Sequence, residues 1–348
     1  MNMYRVSLTI MIGIGAAFLV AAGAQAGGGP SESGEGIVKL TNDADGQFFF
    51  ADTNSDLLWD AADGDAKFRI QGGALTGVKF VQGDLSGNSQ TQLGLADSSK
   101  FYFESGNFGW TPGSDAGDIN FFFAPDVGLI TVGTGDWNLG GRDCVMKVGT
   151  DNFIFVDANC SDGWEGQGGG DGKFRIQGGA EAGIYFVIDD KIGLFTANKY
   201  YIESGDFNWT PGSDAGDING FFAPNVGAVV AVVVSDFNGD GVEDFAKIVD
   251  DGFIYADLNG NMEWDGQPDD GKFKIQGGAL TGPHLAGSFQ GQDGGVGQFD
   301  GTKIYVDGNA DNAPSGTWTP GAGTETANFF APNTGGIQGA GAGDYGTP

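Results

Sequence analysis

The chain has 348 residues, with 46 acidic and 16 basic side chains and a formal net charge of −30. This excess of acid argues against nucleic acid or an anionic membrane surface as a partner, because both attract basic patches. The 66 glycines follow no collagen-like period, and the 28 phenylalanines are enough to build a core, so the composition predicts short strands joined by glycine turns.

Residues 1–26 have the features of a signal peptide. Arg5 precedes an apolar run over Val6–Ala22, and Ala24-Gln25-Ala26 forms a small-x-small cleavage site. A retained membrane anchor is the alternative, although the run is short for a span and contains glycines. We therefore expect a secreted mature chain, periplasmic, extracellular or attached to the cell surface, that begins with a disordered linker over residues 27–34.

Two sequence motifs recur and interleave along the rest of the chain. The first is Lys-Phe-x-Ile-Gln-Gly-Gly, and its copies start at Lys67, Lys173 and Lys272. The second begins Trp-Thr-Pro-Gly and soon reaches Phe-Phe-Ala-Pro, and its copies start at Trp110, Trp209 and Trp318. Such regular recurrence is the signature of a repeat architecture, here with alternating units of type A, which carry the first motif, and type B, which carry the second.

A glycine followed by a short apolar segment marks the units. These landmark glycines are Gly77, Gly128, Gly183, Gly227, Gly282 and Gly336. Their spacing gives six units of about 52 residues, each with four short strands, which is the size of a propeller blade. We predict an all-β, six-bladed β-propeller over residues 35–348. A stacked β-solenoid is the alternative, but its rungs are usually shorter.

The chain contains two cysteines, Cys144 and Cys160, on either side of a predicted hairpin. An even cysteine count in an exported chain favours a disulfide. Two buried free thiols are the alternative. We predict that the two cysteines are bonded.

The segment after the apolar run Val229–Val234 carries the clearest site signal. In Asp236-Phe237-Asn238-Gly239-Asp240-Gly241-Val242-Glu243-Asp244, oxygen side chains stand at positions 1, 3, 5 and 9, and glycines at 4 and 6 permit a tight turn. Calcium takes about six to eight oxygen ligands in an adaptable geometry. We predict a calcium site; a solvated Asx turn is the alternative. Its candidate ligands are the side chains of Asp236, Asn238, Asp240 and Asp244 and the carbonyl of Val242.

The loop Asp257–Asp265 repeats this pattern less completely. Its candidate calcium ligands are Asp257, Asn259, Asn261 and Asp265. Both loops resemble the calcium loop of FG-GAP/VCBS repeats, and the resemblance covers roughly residues 35–348. It implies an integrin-like propeller for extracellular recognition, with calcium stabilising the blade loops, and it leaves the ligand open. In the other units the first loop has lost some of these acids.

The glycine-rich tail Gly336–Tyr345 aligns with Gly128–Trp137, the strand and loop start that precede the third unit. No such strand precedes the first unit, which starts directly at Gly36–Leu40. We predict that Ile337–Ala342 pairs with the strand near Ile37–Leu40, because closing the ring in this way removes an exposed sheet edge.

Sequence features typical of catalysis are few. His284 is the one histidine, in a predicted inner strand, and the chain has no nucleophile elbow, zinc-ligand cluster or phosphate loop. Each unit has one tryptophan at a corresponding position. Such a row can stack on sugars, but blade packing is the favoured interpretation.

We therefore expect a secreted or cell-surface calcium-binding propeller that acts as a binding or adhesion module without catalysis. Its ligand is expected to be an extracellular protein or polysaccharide. One alternative is a self-assembling extracellular matrix or coat component, which is expected to form calcium-dependent particles. The other is a carbohydrate-active propeller enzyme, a lyase or glycosidase, which is expected to carry a basic or histidine-bearing cluster on one rim.

Overall fold

The computed structural model describes residues 35–43, 46–62, 64–73, 75–111, 117–123, 125–179, 182–211, 214, 216–222, 227–267, 269–275, 282–289, 294–308, 325–330 and 335–343. The predicted signal peptide and linker, together residues 1–34, lie outside the described residues, as does Trp318. The described residues form 24 β-strands and three short 3₁₀ turns. They include no helix with the length and apolar character needed to cross a membrane.

The strands form six antiparallel sheets of four strands, the blades, numbered here in chain order with strands given from the centre outward. Blade 1 consists of β24 (Gly335–Gly343), β1 (Gly36–Asp43), β2 (Gly46–Ala51) and β3 (Ala66–Phe68). Blade 2 consists of β4 (Lys79–Gly83), β5 (Gln92–Ala96), β6 (Lys100–Phe103) and β7 (Ile119–Phe122). Blade 3 consists of β8 (Thr131–Gly135), β9 (Cys144–Val148), β10 (Ile154–Val156) and β11 (Gly172–Phe174). Blade 4 consists of β12 (Ile184–Ile188), β13 (Lys191–Thr196), β14 (Lys199–Ile202) and β15 (Ile218–Phe221). Blade 5 consists of β16 (Val229–Ser235), β17 (Asp244–Val249), β18 (Ile254–Ala256) and β19 (Gly271–Phe273). Blade 6 consists of β20 (His284–Gly287), β21 (Gly295–Asp300), β22 (Lys303–Asp307) and β23 (Glu325–Phe329).

The innermost strands form a closed ring. They contact one another in the order β24, β4, β8, β12, β16, β20 and back to β24. Each landmark glycine lies beside the start of one of these strands. The predicted six-bladed β-propeller is therefore confirmed, with blades 1, 3 and 5 of type A and blades 2, 4 and 6 of type B.

The core lies between the blades, as six clusters of buried apolar side chains, one at each interface. Strand β16 shows why the innermost strands are continuously apolar. Val232 and Val234 pack in the cluster shared with blade 4, whereas Val233 packs in the cluster shared with blade 6. Successive side chains of a strand point to opposite faces, so a strand covered on both faces buries all of them.

The C-terminal strand closes the ring as predicted. β24 pairs with β1 in antiparallel register, with Ile37 opposite Ala342 and Thr41 opposite Ile337. The glycines of β24 allow a close approach to blade 2, since a Cβ added at Gly339 would lie 2.5 Å from Cβ of Phe80. The glycine-rich composition of this segment therefore serves packing.

The type A motif places alternate side chains on opposite faces of the outermost strand. Phe68 is buried, whereas the charged groups of Lys67 and Arg69 lie 4.1 and 3.6 Å from the ring centroid of Phe48. Such cation–π contacts favour the charged residues of the motif. Its last glycine, Gly73, has φ of 75°, and a Cβ there would lie 2.7 Å from a backbone nitrogen. Only glycine fits this position without strain.

Each type A blade also carries a fully buried lysine on its second strand, at Lys39, Lys147 or Lys247. The ammonium group of Lys147 donates hydrogen bonds to the carbonyls of Ser98, Phe123 and Pro125, at 2.8, 3.1 and 2.8 Å. These carbonyls follow strands β5 and β7 of the preceding, type B blade. The lysine therefore joins two blades through a buried charge.

The other two lysines make the same connection. Lys39 donates to the carbonyl of Phe330 at 2.9 Å in blade 6, and Lys247 to that of Phe222 at 3.5 Å in blade 4. In all three cases the acceptor is the second phenylalanine of the type B Phe-Phe-Ala-Pro motif. That motif thus provides both a buried ring and a carbonyl to the next blade.

The predicted disulfide between Cys144 and Cys160 is confirmed. Cys144 begins β9 and Cys160 lies in the loop after β10, and their Cα atoms are 5.1 Å apart. The bond therefore joins the second strand of blade 3 to the loop between its third and fourth strands.

The described tryptophans of the repeated row are half-buried and contact other aromatic rings edge-on, namely Trp59, Trp110, Trp164, Trp209 and Trp264. Trp164, for example, lies 5.3 Å from the ring of Phe155 in its own blade and 5.8 Å from that of Phe123 in blade 2. Trp264 makes the corresponding contacts with Tyr255 and Phe222. These rings pack between blades, in agreement with the favoured interpretation.

Candidate metal centre

The loop over residues 236–244, called the 236–244 loop below, joins β16 to β17 in blade 5 and is folded around its first carboxylate. Asp236 Oδ1 accepts hydrogen bonds from the backbone N–H of Gly239 at 2.7 Å and of Asp240 at 3.1 Å. Its Oδ2 accepts one from Gly241 at 2.8 Å. Gly239 and Gly241 have φ of 76° and 85°, which glycine adopts at little cost. The glycines predicted to permit the turn do so.

Further along the loop the remaining polar side chains turn the chain in the same way. Asn238 Oδ1 accepts from Asp240 N at 2.8 Å, and Asp240 Oδ1 accepts from Val242 N at 2.8 Å. Asp244 is almost fully buried, and its Oδ2 accepts from Phe237 N at 3.2 Å. The oxygens of alternate residues of the loop therefore accept hydrogen bonds from the loop's own backbone.

Three of these side chains converge on the neighbouring loop over residues 257–265, called the 257–265 loop below. A Cβ placed on Gly260 would lie 3.1 Å from Asp244 Oδ1, 3.2 Å from Asn238 Nδ2 and 3.7 Å from Asp240 Oδ2. The two candidate loops are thus in contact. In a meander of four strands, the loop between strands one and two and the loop between strands three and four emerge at the same face of the propeller, which is why they meet.

Negative charge accumulates at this contact. The pKa of Asp244 is raised to about 8, first by burial and then by the carboxylates of Asp257, Asp240 and Asp236. Burial also raises the pKa of Asp257. Like charges held this close in a partly desolvated space repel one another, so the ionised form of the cluster is costly unless a cation neutralises it.

The second candidate set is closed by its own hydrogen bonds. Asp257 accepts from the backbone N–H of Gly260 at 3.0 Å and of Met262 at 2.7 Å. Asn259 and Asn261 both donate their amide N–H to Asp265 Oδ2, at 3.1 and 2.6 Å.

The donor set of the 236–244 loop fits calcium in kind. Carboxylate, amide and carbonyl oxygens are the ligands that calcium takes, and the buried carboxylate of Asp244 has one oxygen facing the gap between the loops. Within the described part of the chain, no three Asp, Glu, His or Cys side chains already stand close enough together to hold an ion. Binding at these residues therefore requires their carboxylates to turn away from the backbone N–H groups that they now accept from.

A second acidic region lies where each type A blade meets the blade before it. Asp143 exchanges two hydrogen bonds of 2.7 Å with the backbone of Asp84 in blade 2. Glu243 accepts from Asp189 N at 2.6 Å in blade 4, and Glu35 from Ser288 N at 2.8 Å in blade 6. The three acids are equivalent by position, and they join the loops at the mouth of the central channel.

The charges in this region also shift one another. Burial raises the pKa of Asp143 to about 7, with further contributions from Asp190, Asp84 and Asp136. Burial raises the pKa of Glu243 to about 8, with contributions from Asp189, Asp190 and Asp143. The mouth of the channel is therefore strongly acidic.

A further set of acids was not singled out from the sequence as a set. In every blade a fully buried Asp or Glu ends the third strand or directly follows it. These residues are Asp52, Glu104, Asp157, Glu203, Asp257 and Asp307. Glu104 accepts from Phe108 N at 2.6 Å and Glu203 from Phe207 N at 2.7 Å, so each acid folds the loop that follows. Their recurrence at the end of each third strand is the signal by which they could have been found.

His284 lies at the start of β20, an innermost strand, as predicted. Burial lowers its pKa to about 4, although a hydrogen bond with Gln298 acts in the opposite direction. The side chain is therefore neutral at physiological pH.

Comparison with known proteins places the chain in no family, since no protein-family description and no curated protein matches it. Among solved structures, a lectin from Agrocybe aegerita, described for its recognition of non-reducing terminal N-acetylglucosamine, aligns with a TM-score of 0.43 and 15% identity over 82% of this chain and 76% of that one. BBS1N in complex with ARL6DN aligns with a TM-score of 0.42 and 11% identity over 83% of this chain and 81% of that one. These alignments are too weak to support a statement about function.

Proposed function

We propose that the protein is a secreted, calcium-binding β-propeller that acts as a binding module without catalysis. The observation that carries the calcium site is the position of Asp244. Its carboxylate is buried, its pKa is raised to about 8 first by that burial and then by the charges of Asp257, Asp240 and Asp236, and one of its oxygens lies beside Gly260. A divalent cation at this point neutralises the cluster.

The ion is assigned to the 236–244 loop, with Asp236, Asn238, Asp240, Asp244 and the Val242 carbonyl as the residues that would hold it. The candidate ligands of the 257–265 loop include two acids instead of three, and the second of them, Asp265, is exposed. Secretion of the protein is consistent with a calcium site, because extracellular fluids contain calcium at about the millimolar concentration that weak loop sites need.

Thermal denaturation tests the calcium site. Calcium that binds the folded loop and not the unfolded chain raises the melting temperature by mass action. We expect an increase in millimolar calcium that chelator reverses and that D240A removes. D269A is the matched control, since Asp269 is an exposed carboxylate of the same blade outside both loops. An identical melting curve with calcium and with chelator would contradict the site.

The binding role is supported by the outer strands of the type B blades. Phe122, Phe221 and Phe329 occupy equivalent positions there and are 68%, 64% and 51% exposed. Each stands opposite a lysine on the neighbouring strand, and the ammonium group of Lys100 lies 4.3 Å from the ring of Phe122. Exposed aromatic rings at regular intervals are suited to contact a repetitive ligand such as a polysaccharide.

Binding to immobilised polysaccharides, followed by a reducing-end assay, distinguishes the proposal from its alternatives. We expect wild-type protein to bind, the triple variant F122S/F221S/F329S to bind less, and no new reducing ends to appear. Release of reducing ends would favour the carbohydrate-active enzyme. Calcium-dependent particles on a sizing column, without polysaccharide binding, would favour the matrix or coat component.

A further inference from the structure

The basic side chains of this acidic protein are concentrated at the outer edge of the blades. Nine of the 16 basic residues lie in the third or fourth strand of a blade or directly after the fourth strand. These residues, called the outer cations below, are Lys67, Arg69, Lys100, Lys173, Arg175, Lys199, Lys272, Lys274 and Lys303. The acids of the same described strands are Asp307, which is fully buried, and Glu325. The outer strands are therefore basic, although the net charge of the chain is −30.

In each type A blade two outer cations contact one half-buried phenylalanine. In blade 3 the charged groups of Lys173 and Arg175 lie 4.3 and 3.6 Å from the ring centroid of Phe153. In blade 5 the ammonium group of Lys274 lies 4.1 Å from that of Phe253. The arrangement repeats that of Phe48 in blade 1, so in these blades the ring holds the cations in place.

In each type B blade one outer cation stands opposite an exposed phenylalanine. The contact between Lys100 and Phe122 in blade 2 has its counterpart in blade 4, where the ammonium group of Lys199 lies 5.4 Å from the ring centroid of Phe221. In blade 6, Lys303 pairs across strands with Phe329. These rings are more than half exposed, so their surface is available to a ligand.

The ring and its cations lie on the face that each blade turns towards the preceding blade. In blade 3, Lys173 also contacts Phe155, at 5.2 Å, and Phe155 packs in the cluster shared with blade 2. In blade 2, Phe121 packs in that same cluster, and since side chains alternate along a strand, Phe122 lies on the opposite face, towards blade 1. Equivalent clusters place the other rings in the same way. Each of the six junctions between blades therefore carries one ring and its cations at the circumference.

The outer cations have no acidic partner within the protein. In the part of the chain that the structure describes, the ion pair is that of Arg142 with Asp162, and none of the outer cations contacts a carboxylate. Their hydrogen bonds go to backbone carbonyls, as from Arg69 to Gly72 at 3.5 Å and from Lys274 to Asp251 at 2.6 Å. With 46 acidic side chains in the sequence, this leaves nine positive charges at the outer edge that the protein does not itself neutralise.

We propose that the outer edge binds an acidic polysaccharide, whose uronic acid carboxylates pair with the outer cations and whose sugar rings stack on the exposed phenylalanines of the type B blades. This inference rests on the proposed polysaccharide-binding role and deepens it by naming the class of ligand. Lysine and arginine form charge-assisted hydrogen bonds with carboxylates, and arginine can form two in parallel. Repulsion from the acidic loops is screened over about 8 Å at physiological ionic strength, whereas the outer cations contact the polymer directly.

A pair of polymers that differ only in charge tests the inference. Polygalacturonate and its full methyl ester have the same backbone, and the ester has no free carboxylate. Binding is measured in chelator, so that no divalent cation bridges the polymer and the acidic loops. Alginate and hyaluronate serve as further acidic polymers, and dextran and chitin as neutral ones. We expect wild-type protein to bind acidic polymers, and polygalacturonate at least about tenfold more tightly than its ester. Equal binding of acid and ester, or binding of neutral polymers alone, would overturn the inference.

Substitution of the outer cations tests the same contact from the side of the protein. We expect R69Q/R175Q/K274Q to bind the acidic polymer about tenfold more weakly than wild type. R69K/R175K keeps the charge but loses the guanidinium fork, and the presence of Lys274 at the equivalent position of blade 5 indicates that the fold accepts lysine there. This variant should bind with intermediate affinity.

K191Q is the matched control for these variants, since Lys191 is an exposed lysine outside the outer strands, and it should bind as wild type does. Melting temperatures are compared for all variants, so that weaker binding is not confused with unfolding. Wild-type affinity in both R69Q/R175Q/K274Q and R69K/R175K would show that the outer cations do not hold the polymer.

Failure of this inference can be told from failure of the proposed function. Binding to chitin or dextran that F122S/F221S/F329S weakens and R69Q/R175Q/K274Q does not would refute an acidic ligand and leave a polysaccharide-binding role standing. No binding to any of these polymers would refute both. Equally tight binding to double-stranded DNA would show that the outer edge accepts any polyanion, and would overturn the assignment to polysaccharide. Self-association that the cation variants abolish, without polymer binding, would assign the edge to the acidic loops of a second copy.

Discussion

The type A and type B blades share one fold but contribute differently to the ring. At the three interfaces where a type A blade follows a type B blade, a buried lysine of the former reaches carbonyls of the latter, as Lys147 does with Phe123. At the interface where type B blade 4 follows type A blade 3, the backbone N–H of Asp136 donates to Asp190 Oδ1 at 2.8 Å. Both kinds of interface bury a cluster of apolar side chains.

This difference suggests that the structural unit is a pair of blades. A type B blade supplies the ring and carbonyl of its Phe-Phe-Ala-Pro segment, and the following type A blade supplies the lysine that donates to that carbonyl. Repeats that stack in this way are stable mainly through their interfaces, so the two kinds of interface should differ in what their loss costs.

Deletion of residues 335–348 is expected to have the largest effect, because β24 contacts both β4 and β20 and so takes part in one interface of each kind. It also leaves β1 as an unpaired edge. We expect a lower melting temperature and association on a sizing column. A chain that ends at Gly343 retains all of β24 and serves as the control. A deletion variant that melts like the control and stays monomeric would refute closure by β24.

Substitution of one buried lysine should break only the lysine-bearing kind of interface. K147M keeps most of the side-chain volume but removes the donor from the buried carbonyl of Phe123 and from the part-buried carbonyls of Ser98 and Pro125. We expect a loss of about 3 kcal/mol in the free energy of unfolding, measured by chemical denaturation. K191M, at an exposed lysine on the second strand of blade 4, should cost less than about 0.5 kcal/mol. Equal losses in the two variants would argue against the paired-blade unit.

The buried acids at the ends of the third strands occur in both blade types. Their replacement should have the smallest effect on stability, and the effect should be the same in a type A and a type B blade. Burial raises the pKa of Asp52 and of Glu104 to about 7, from 3.8 and 4.5. An acid whose pKa is higher in the folded state stabilises it most below the unfolded pKa, and this contribution is lost as the pH rises through the folded value. Stability should therefore fall between about pH 4.5 and pH 7.

D52N and E104Q test this pH dependence in a type A and a type B blade. Denaturation curves at pH 5 and pH 8 should show a smaller fall in stability for each variant than for wild type. D300N, at an exposed carboxylate, should show the wild-type fall. A fall as large in D52N and E104Q as in wild type would mean that these acids do not carry the pH dependence.

Much of the fold was predictable because it is periodic. The recurring Lys-Phe-x-Ile-Gln-Gly-Gly motif and the landmark glycines gave the number of blades, and the alignment of the tail with Gly128–Trp137 gave the pairing of β24 with β1. The disulfide followed from two cysteines on either side of a hairpin. Each of these inferences needs only local pattern and spacing.

What the sequence did not predict depends on contacts between blades. Lys39 lies between Val38 and Leu40, and such a residue in a strand is expected to face solvent. Its burial depends on Phe330, which is distant in sequence and adjacent only in the closed ring. The contact between the 236–244 loop and Gly260 is not predictable from local pattern either, because the two loops are separate in the sequence and meet only at one face of the folded blade.

Titration calorimetry with calcium tests the central claim most directly. The account predicts binding of one calcium ion per chain to wild-type protein, because only blade 5 retains the full set of acids, and no binding heat for D244N. C144S/C160S, which removes the disulfide of blade 3, should bind as wild type does. Absence of binding heat in wild-type protein, or the same heat in D244N, would contradict the account.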